Sequence, residues 1–350
     1  MANYTNSNLA VGQAKLTQAF QDGELRYREP AIWKSLVKNQ PLSTPGYELM
    51  KTREDRAFQV DYFNRTSRAL GTARSGTHAG TQGDTSLVNP SFATSTDKFY
   101  TSLKQADRST RSLQEELNNE LQNSAMNMVE GLNQDSSDFL FTNRSGVNGV
   151  SVEGSFNATN DAYEISDAAG GDRSVQITRM VMDLLKYQGK SFDFYCDSIS
   201  FNKFEYLRNQ GSSNDKNTEF QFTNGSLTFY HMGEMDTDVA AIGASDYTRG
   251  FWLVVPKGMA VALDWIPKQN REGVSSSTIG GVAEYGSIIN PIDGLPYATH
   301  KYWEKADTSG TNGMTQDVKE EFELSIDVAF EKAPLTTANE SVIQAFAIIA

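Results

Sequence analysis

Leu113, Leu117, Leu121, Ala125, Met128, Leu132 and Phe139 recur at spacings of three, four or seven. That spacing lays one apolar stripe along a single helix and predicts a long helix over residues 109–141. Ser112 and Glu115 have capping-box spacing, which gives the helix a start signal. Gly131 is a soft point near its end, and residues 143–149 are a loop-rich stop. About thirty residues at ~1.5 Å each make a rod of about 45 Å. A rod with so narrow a stripe crosses a large surface instead of filling a compact bundle.

Upstream, residues 1–46 carry short apolar clusters (Leu16, Phe20, Ile32, Trp33, Leu36) broken by Pro30, Pro41 and Pro45-Gly46. They cannot build a core alone, so the pattern predicts an extended arm with one short helix near residues 30–39, anchored by Trp33 and Tyr47. A strand follows at Phe58, Val60 and Tyr62, alternating with Gln59, Asp61 and Phe63. The return runs S-L-V-N-P-S-F-A-T-S-T-D-K-F-Y. Between the two lies G-T-A-R-S-G-T-H-A-G-T-Q-G-D-T-S, which has nothing to pack. The pair reads as a long hairpin projecting from the body.

Beyond the long helix, Val175, Met180, Val181, Leu184 and Leu185 mark one helical face. F-D-F-Y-C reads as a strand and F-N-K-F-E-Y-L-R-N-Q-G as a short helix closed by Gly211. F-Q-F-T-N-G-S-L-T-F-Y has the Asn-Gly signature of a hairpin. F-W-L-V-V-P-K-G-M-A-V-A-L-D-W-I reads as a strand pair. E-F-E-L-S-I-D-V-A-F alternates charge and hydrophobe, as a half-exposed antiparallel strand does.

Charge adds a distinction between the parts. Residues 53–111 hold nine basic and six acidic residues, so the hairpin stretch is +3; the rest of this chain of net charge -13 is then -16. A positive arm on an acidic body complements the next copy of the same body. The acidic total argues against a general nucleic-acid binder. Cys196 is the only cysteine, which excludes an internal disulfide. No run approaches eighteen apolar residues, so no membrane span is expected, and the N-terminus has no basic, apolar secretory signal.

Candidate chemistry is sparse. Gly189-Lys190-Ser191 resembles the end of a phosphate loop, but Leu184 stands where that motif needs glycine. His231, Glu234, Asp236 and Asp238 cluster in sequence without calcium-loop or zinc spacing. No cofactor, metal ligand set or catalytic residue is expected. The reading from another class is an acidic hydrolase, with the hairpin as lid and Asp236 and Asp238 as acid and base.

The order of parts (arm, long hairpin, L-Q-E-E-L-N-N-E-L-Q-N-S-A-M-N-M-V-E helix, V-P-K-G-M-A-V, late alternating strand) resembles the major capsid protein of tailed bacteriophages with the HK97-type fold. The resemblance implies an α+β chain with an N-terminal arm (1–46), an E-loop hairpin (47–107) and a peripheral (P) domain with the spine helix (108–185). It further implies a mainly axial (A) region (186–316), then a P-domain return strand and tail (317–350). It implies a structural, non-enzymatic protein that self-assembles through hexamers and pentamers into an icosahedral shell around double-stranded DNA. A nanocompartment shell enclosing enzyme cargo is the nearest alternative. Expected partners are copies of itself, a separate scaffolding protein, a portal, decoration proteins, and DNA bound without sequence specificity. The expected location is the virion, with assembly in the host cytoplasm. Candidate contacts between subunits are Trp33, Tyr62, Phe63, Arg74, Phe99, Arg108 and Arg111. Lys98 lies at the base of the hairpin and the tip has no lysine, so covalent cross-linking through the loop is not expected.

Overall fold

The computed structural model describes residues 7–40, 44, 47–54, 56, 59–63, 82–83, 85–102, 112–144, 149–167, 173–185, 187, 191–212, 227–243, 247, 249–273, 275–278, 281–305, 318–335 and 341–349. The first half holds α1 (Ser7–Gln21), α2 (Ala31–Lys38), α3 (Tyr47–Met50), β1 (Val60–Phe63), β2 (Thr85–Val88), β3 (Ala93–Ser102), α4 (Leu113–Thr142), β4 (Gly154–Asn157), β5 (Ala162–Ser166) and α5 (Ser174–Leu184). The second holds β6 (Phe192–Cys196), α6 (Ser198–Ser212), β7 (Leu227–His231), α7 (Asp236–Gly243), β8 (Phe251–Pro256), β9 (Ala260–Trp265), α8 (Lys268–Glu272), β10 (Ser275–Thr278), β11 (Gly281–Ile289), β12 (Pro296–Lys305), β13 (Val318–Lys332) and β14 (Gln344–Ile349).

The long helix forms as its stripe predicts. The Ser112 side chain accepts the Glu115 N–H, and the Glu115 carboxylate accepts the Ser112 N–H at 2.7 Å. Leu117, Leu121, Ala125, Met128, Val129, Leu132 and Leu140 line its buried face. Gly131 does not end it; the helix runs on to Thr142 with Gly131 on the exposed side.

One antiparallel sheet has the order β10-β11-β12-β13-β3, and β9 also pairs with β13. The fifteen residues of β13 make this possible. Ser325 faces Ala298 of β12, and from Asp327 onward the partner on that side is β9. Phe322, Leu324, Ile326 and Val328 are buried, so the alternation read in the sequence is the core face of this strand. A second sheet has the order β4-β5-β14-β8-β6-β7. It is mixed: β14–β5 and β6–β7 are parallel. On one face its Phe194, Trp252 and Phe346 pack with Val181 of α5 and Phe204 of α6. On the other, Tyr195, Phe251 and Leu253 join Trp33, Leu121, Leu132 and Leu324 in the main core.

Three sequence expectations change, and a fourth falls partly outside the described residues. Residues 7–21 are helical, not extended. Leu9, Gly12, Leu16 and Ala19 form the buried stripe, and its two small residues hid it. The β8 and β9 strands do not pair with each other but enter different sheets. The turn between them closes through Met259 N–H to Pro256 O, with Gly258 at φ 80°. Every residue of both strands is buried, so no alternation signalled their partners. The strand ending the Asn-Gly segment, β7, pairs in parallel with β6, while the turn and its first strand lie outside the described residues. The buried face of α5 is Val175, Ile177, Thr178, Val181 and Met182, leaving Met180 and Leu184 exposed.

Gly131 is helical, exposed, and has open space where a Cβ would sit. Gly131→Ala is therefore expected to raise unfolding free energy by about 0.5–1 kcal/mol, read from a urea titration.

Candidate functional site: the arm seat and the hairpin base

The N-terminal arm meets the body at a set of buried polar side chains. Asn133, on the inner face of α4, is 3% exposed. Its Oδ1 accepts the backbone N–H groups of both Ile32 and Trp33, each at 3.2 Å. Those N–H groups belong to the first turn of α2, where no intrahelical acceptor exists and Pro30 offers no side-chain cap. The Asn133 Nδ2 donates to Glu234 Oε1 at 2.8 Å, and Arg28 Nε lies 3.2 Å from the same oxygen. One amide thus joins the long helix, the arm and the turn before α7.

Past α2 the chain covers a sheet edge. The Ala260, Ala262 and Asp264 carbonyls point away from β13 along the outer edge of β9. Asn39 Nδ2 donates to the first at 3.2 Å, Gln40 Nε2 to the second at 2.7 Å, and the Tyr47 hydroxyl to the third at 2.8 Å. Asp264 itself is held by Gln40 Nε2 at 2.6 Å and Lys51 Nζ at 2.8 Å. The segment stands in for a neighbouring strand with side chains, a way of closing an edge that would otherwise recruit another chain. Burial pushes the Tyr47 hydroxyl well above its usual range, and the Asp264 carboxylate adds to that.

Asp193 lies under this seat, 2% exposed, with Lys257 Nζ 3.7 Å away. Burial pushes its carboxyl up to about 6, against the pull of Lys257. Asp293 is also raised by burial while it accepts from the Trp33 indole at 3.1 Å and the Tyr297 hydroxyl at 2.6 Å.

The hairpin base has a different character. β1 and β2 form a two-stranded sheet that, among the described residues, joins neither body sheet. β3 then runs into the first sheet against β13. Leu87 and Tyr100 are exposed along this path.

The candidate contact residues separate accordingly. Trp33 is buried in the chain's own core, edge-on to Phe330, so it anchors the arm to its own body and has no surface for a neighbour. Phe99 is half-buried and stacks on Phe322 at 5.2 Å. Tyr62 and Phe63 lie in β1, with side chains outside the described atoms. Arg74, Arg108 and Arg111 lie outside the described residues. Asp236 and Asp238 do not work as a pair. Asp236 accepts the Ser198 N–H at 3.0 Å and its hydroxyl at 2.5 Å, capping α6. Asp238 is raised by burial and by Asp138, and lowered by Arg144. His231 Nε2 touches the same Ser198 hydroxyl at 3.0 Å, so that hydroxyl sits between an imidazole and the Asp236 carboxylate at the start of α6. Among the described residues no group of three His, Cys, Asp or Glu could hold a metal, and no helix is long and apolar enough to cross a membrane. Asn133, Asn39 and Gln40 had no sequence signal: each is an amide in a polar-looking stretch, and only the fold buries it.

Solved structures similar to this chain come from phages and from a GTA particle. One is the cyanophage Pam1 capsid asymmetric unit, 13% identical, covering 85% of this chain and 86% of that chain with a TM-score of 0.45. A structure from Mycobacterium phage Che8 is 7% identical, covering 88% and 90%, with a TM-score of 0.44. The capsid of a native GTA particle is 12% identical, covering 87% and 90%, with a TM-score of 0.42. No protein-family model and no curated protein sequence matches the chain.

Asn133→Ala would leave two buried N–H groups without an acceptor. It is expected to cost about 2–3 kcal/mol, measured by denaturant unfolding. Asp193 ionises less readily folded than unfolded, so its contribution to stability falls as pH rises from about 3.8 to about 6. The advantage of Asp193→Asn over wild type should therefore grow by about 2–3 kcal/mol between pH 4 and pH 7, read from paired melts.

Proposed function

We propose that this chain is a shell-forming structural subunit, the major capsid protein of a tailed bacteriophage. Copies associate as hexamers and pentamers and close into an icosahedral shell around double-stranded DNA. The observation that carries this reading is the hairpin. A two-stranded ribbon paired only with itself among the described residues is marginal in water. It needs a surface to lie on, and its stretch is +3 while the rest of the chain is -16. A second copy of the acidic body supplies the complementary surface, and repetition of that contact sums weak interfaces into a closed assembly.

The body suits the role. A capped helix of thirty residues crosses the first sheet, and β13 ties that sheet to β9. In this reading the α4–β3–β13 region is the peripheral part and the β8–β6–β7 end of the second sheet lies in the axial part. Hydrolysis has little support, since Asp236 is committed to capping α6 and Asp238 sits against Asp138 and Arg144. A separate scaffold, a portal and decoration proteins belong to the same proposal, as do residence in the virion and assembly in the host cytoplasm.

Deleting residues 71–84 is expected to abolish rings and shells in negative-stain microscopy and shift the sizing-column elution to monomer. The thermal midpoint should stay within a few degrees. Wild-type chain that remains monomeric with a scaffold and a crowding agent present, or a deletion that still forms shells, would overturn the reading.

A further inference from the structure

The arm is held in two unequal tiers. α2 is part of the core: Ile32, Trp33 and Leu36 have no exposed surface. α1 is docked from outside, with Leu9, Leu16 and Ala19 buried on α4 and Val11 exposed. At the contact, a Cβ on Gly12 would sit 3.0 Å from the Leu121 side chain, so the two helices already touch. Residues 22–29 between α1 and α2 are mostly exposed. What ties that tether to the body is Arg28. Its N–H donates to Glu130 at 3.1 Å, and its guanidinium reaches Glu234.

That ion pair has two unusual features. The Glu234 Oε1 takes both Asn133 and Arg28, while Oε2 is buried without a hydrogen-bond partner. A carboxylate with one oxygen doubly used and the other buried and idle is incompletely compensated, which makes the closed state cheap to leave. Beside it, Gly233 leaves a gap that the Arg28 guanidinium fills; a methyl there would overlap the Arg28 Nη2 atom. Gly233 has no positive φ, so it is the space, not the backbone conformation, that requires glycine.

We infer that Arg28, Gly233 and Glu234 form a catch that governs whether α1 and its tether stay on α4, independently of α2. Opening it releases residues 7–30 as a unit and uncovers the apolar strip of Leu117 and Leu121, with Phe322 beside it. α2, held by Asn133 and the β9 edge, stays in place. The arm is then a fixed stem with a hinged end. This holds whether or not the chain assembles.

Hydrogen exchange followed by mass spectrometry on the full-length chain tests this. Gly233→Ala expels the guanidinium without touching Glu234 or Asn133, and Glu234→Gln keeps the acceptor for Asn133 while removing the charge. Both are expected to raise exchange in α1 about tenfold, the size of one charge-assisted hydrogen bond, with α2 unchanged. Trypsin should also cut the variants faster at Arg26. Exchange in α1 and α2 rising together would show a single cooperative unit and overturn the catch. Exchange in α1 unaffected by Gly233→Ala would overturn it as well, because the Arg28 guanidinium is the group the new methyl overlaps most, with His231 and Ser198 only brushed at 3.2 Å.

Discussion

The outer edge of β9 sets the terms for the rest of the chain. Its three outward carbonyls, at Ala260, Ala262 and Asp264, are buried where water does not reach, and a buried backbone acceptor left empty costs as much as a lost hydrogen bond. Among the described residues no strand lies beside them. Asn39, Gln40 and Tyr47 fill the role, and each must arrive at a fixed spacing along the edge. That requirement fixes where α2 ends, where α3 begins, and therefore where the arm enters. Asn133 fixes the other end of α2, so the stem of the arm is located at both termini by amide side chains and not by apolar packing alone.

Much of the layout was legible because the elements that matter most are long and regular. The stripe from Leu113 to Phe139 marked α4 and the Ser112–Glu115 box its cap, although the expected range of 109–141 began four residues before the helix does. The alternation in β13 gave its core face. What was not legible has common physical causes. The α1 stripe contains Gly12 and Ala19, residues that bury well and score as nothing. Strands β8 and β9 are buried throughout, and a continuous apolar run names no partner. The amides of Asn39, Gln40 and Asn133 acquire their function from burial, which is a property of the fold and not of the residue. Trp33 shows the reverse error: a large aromatic in a segment taken for an arm suggested an interface, but it is in the chain's own core.

The two sheets divide the labour of stability differently. The second sheet is covered on both faces, by α5 and α6 on one side and by α2 and α4 on the other, and it contains the parallel pairs, which suit such burial. The first carries helices on the face of Phe322 and Leu324, while Glu321 and Glu323 face the other way beside Tyr100 and Lys98. Polar residues and tyrosines on an open sheet face tolerate water and still offer area to a neighbour. The hairpin leaves the body along that sheet, so an open sheet face and the least self-sufficient element are adjacent in the fold.

β13 has a mechanical consequence. At fifteen residues it is about 50 Å long and is hydrogen-bonded on both sides, to β3 along one edge and to β12 then β9 along the other. A pull along its axis loads all of those bonds at once, in shear, while a pull on β1 and β2 opens a ribbon one pair at a time. Tension would therefore travel along β13 as through a tie-rod, carrying force from β3 to β9 with little stretch. Pressure acting outward on such a body would be borne by the strand and relieved first at the ribbon.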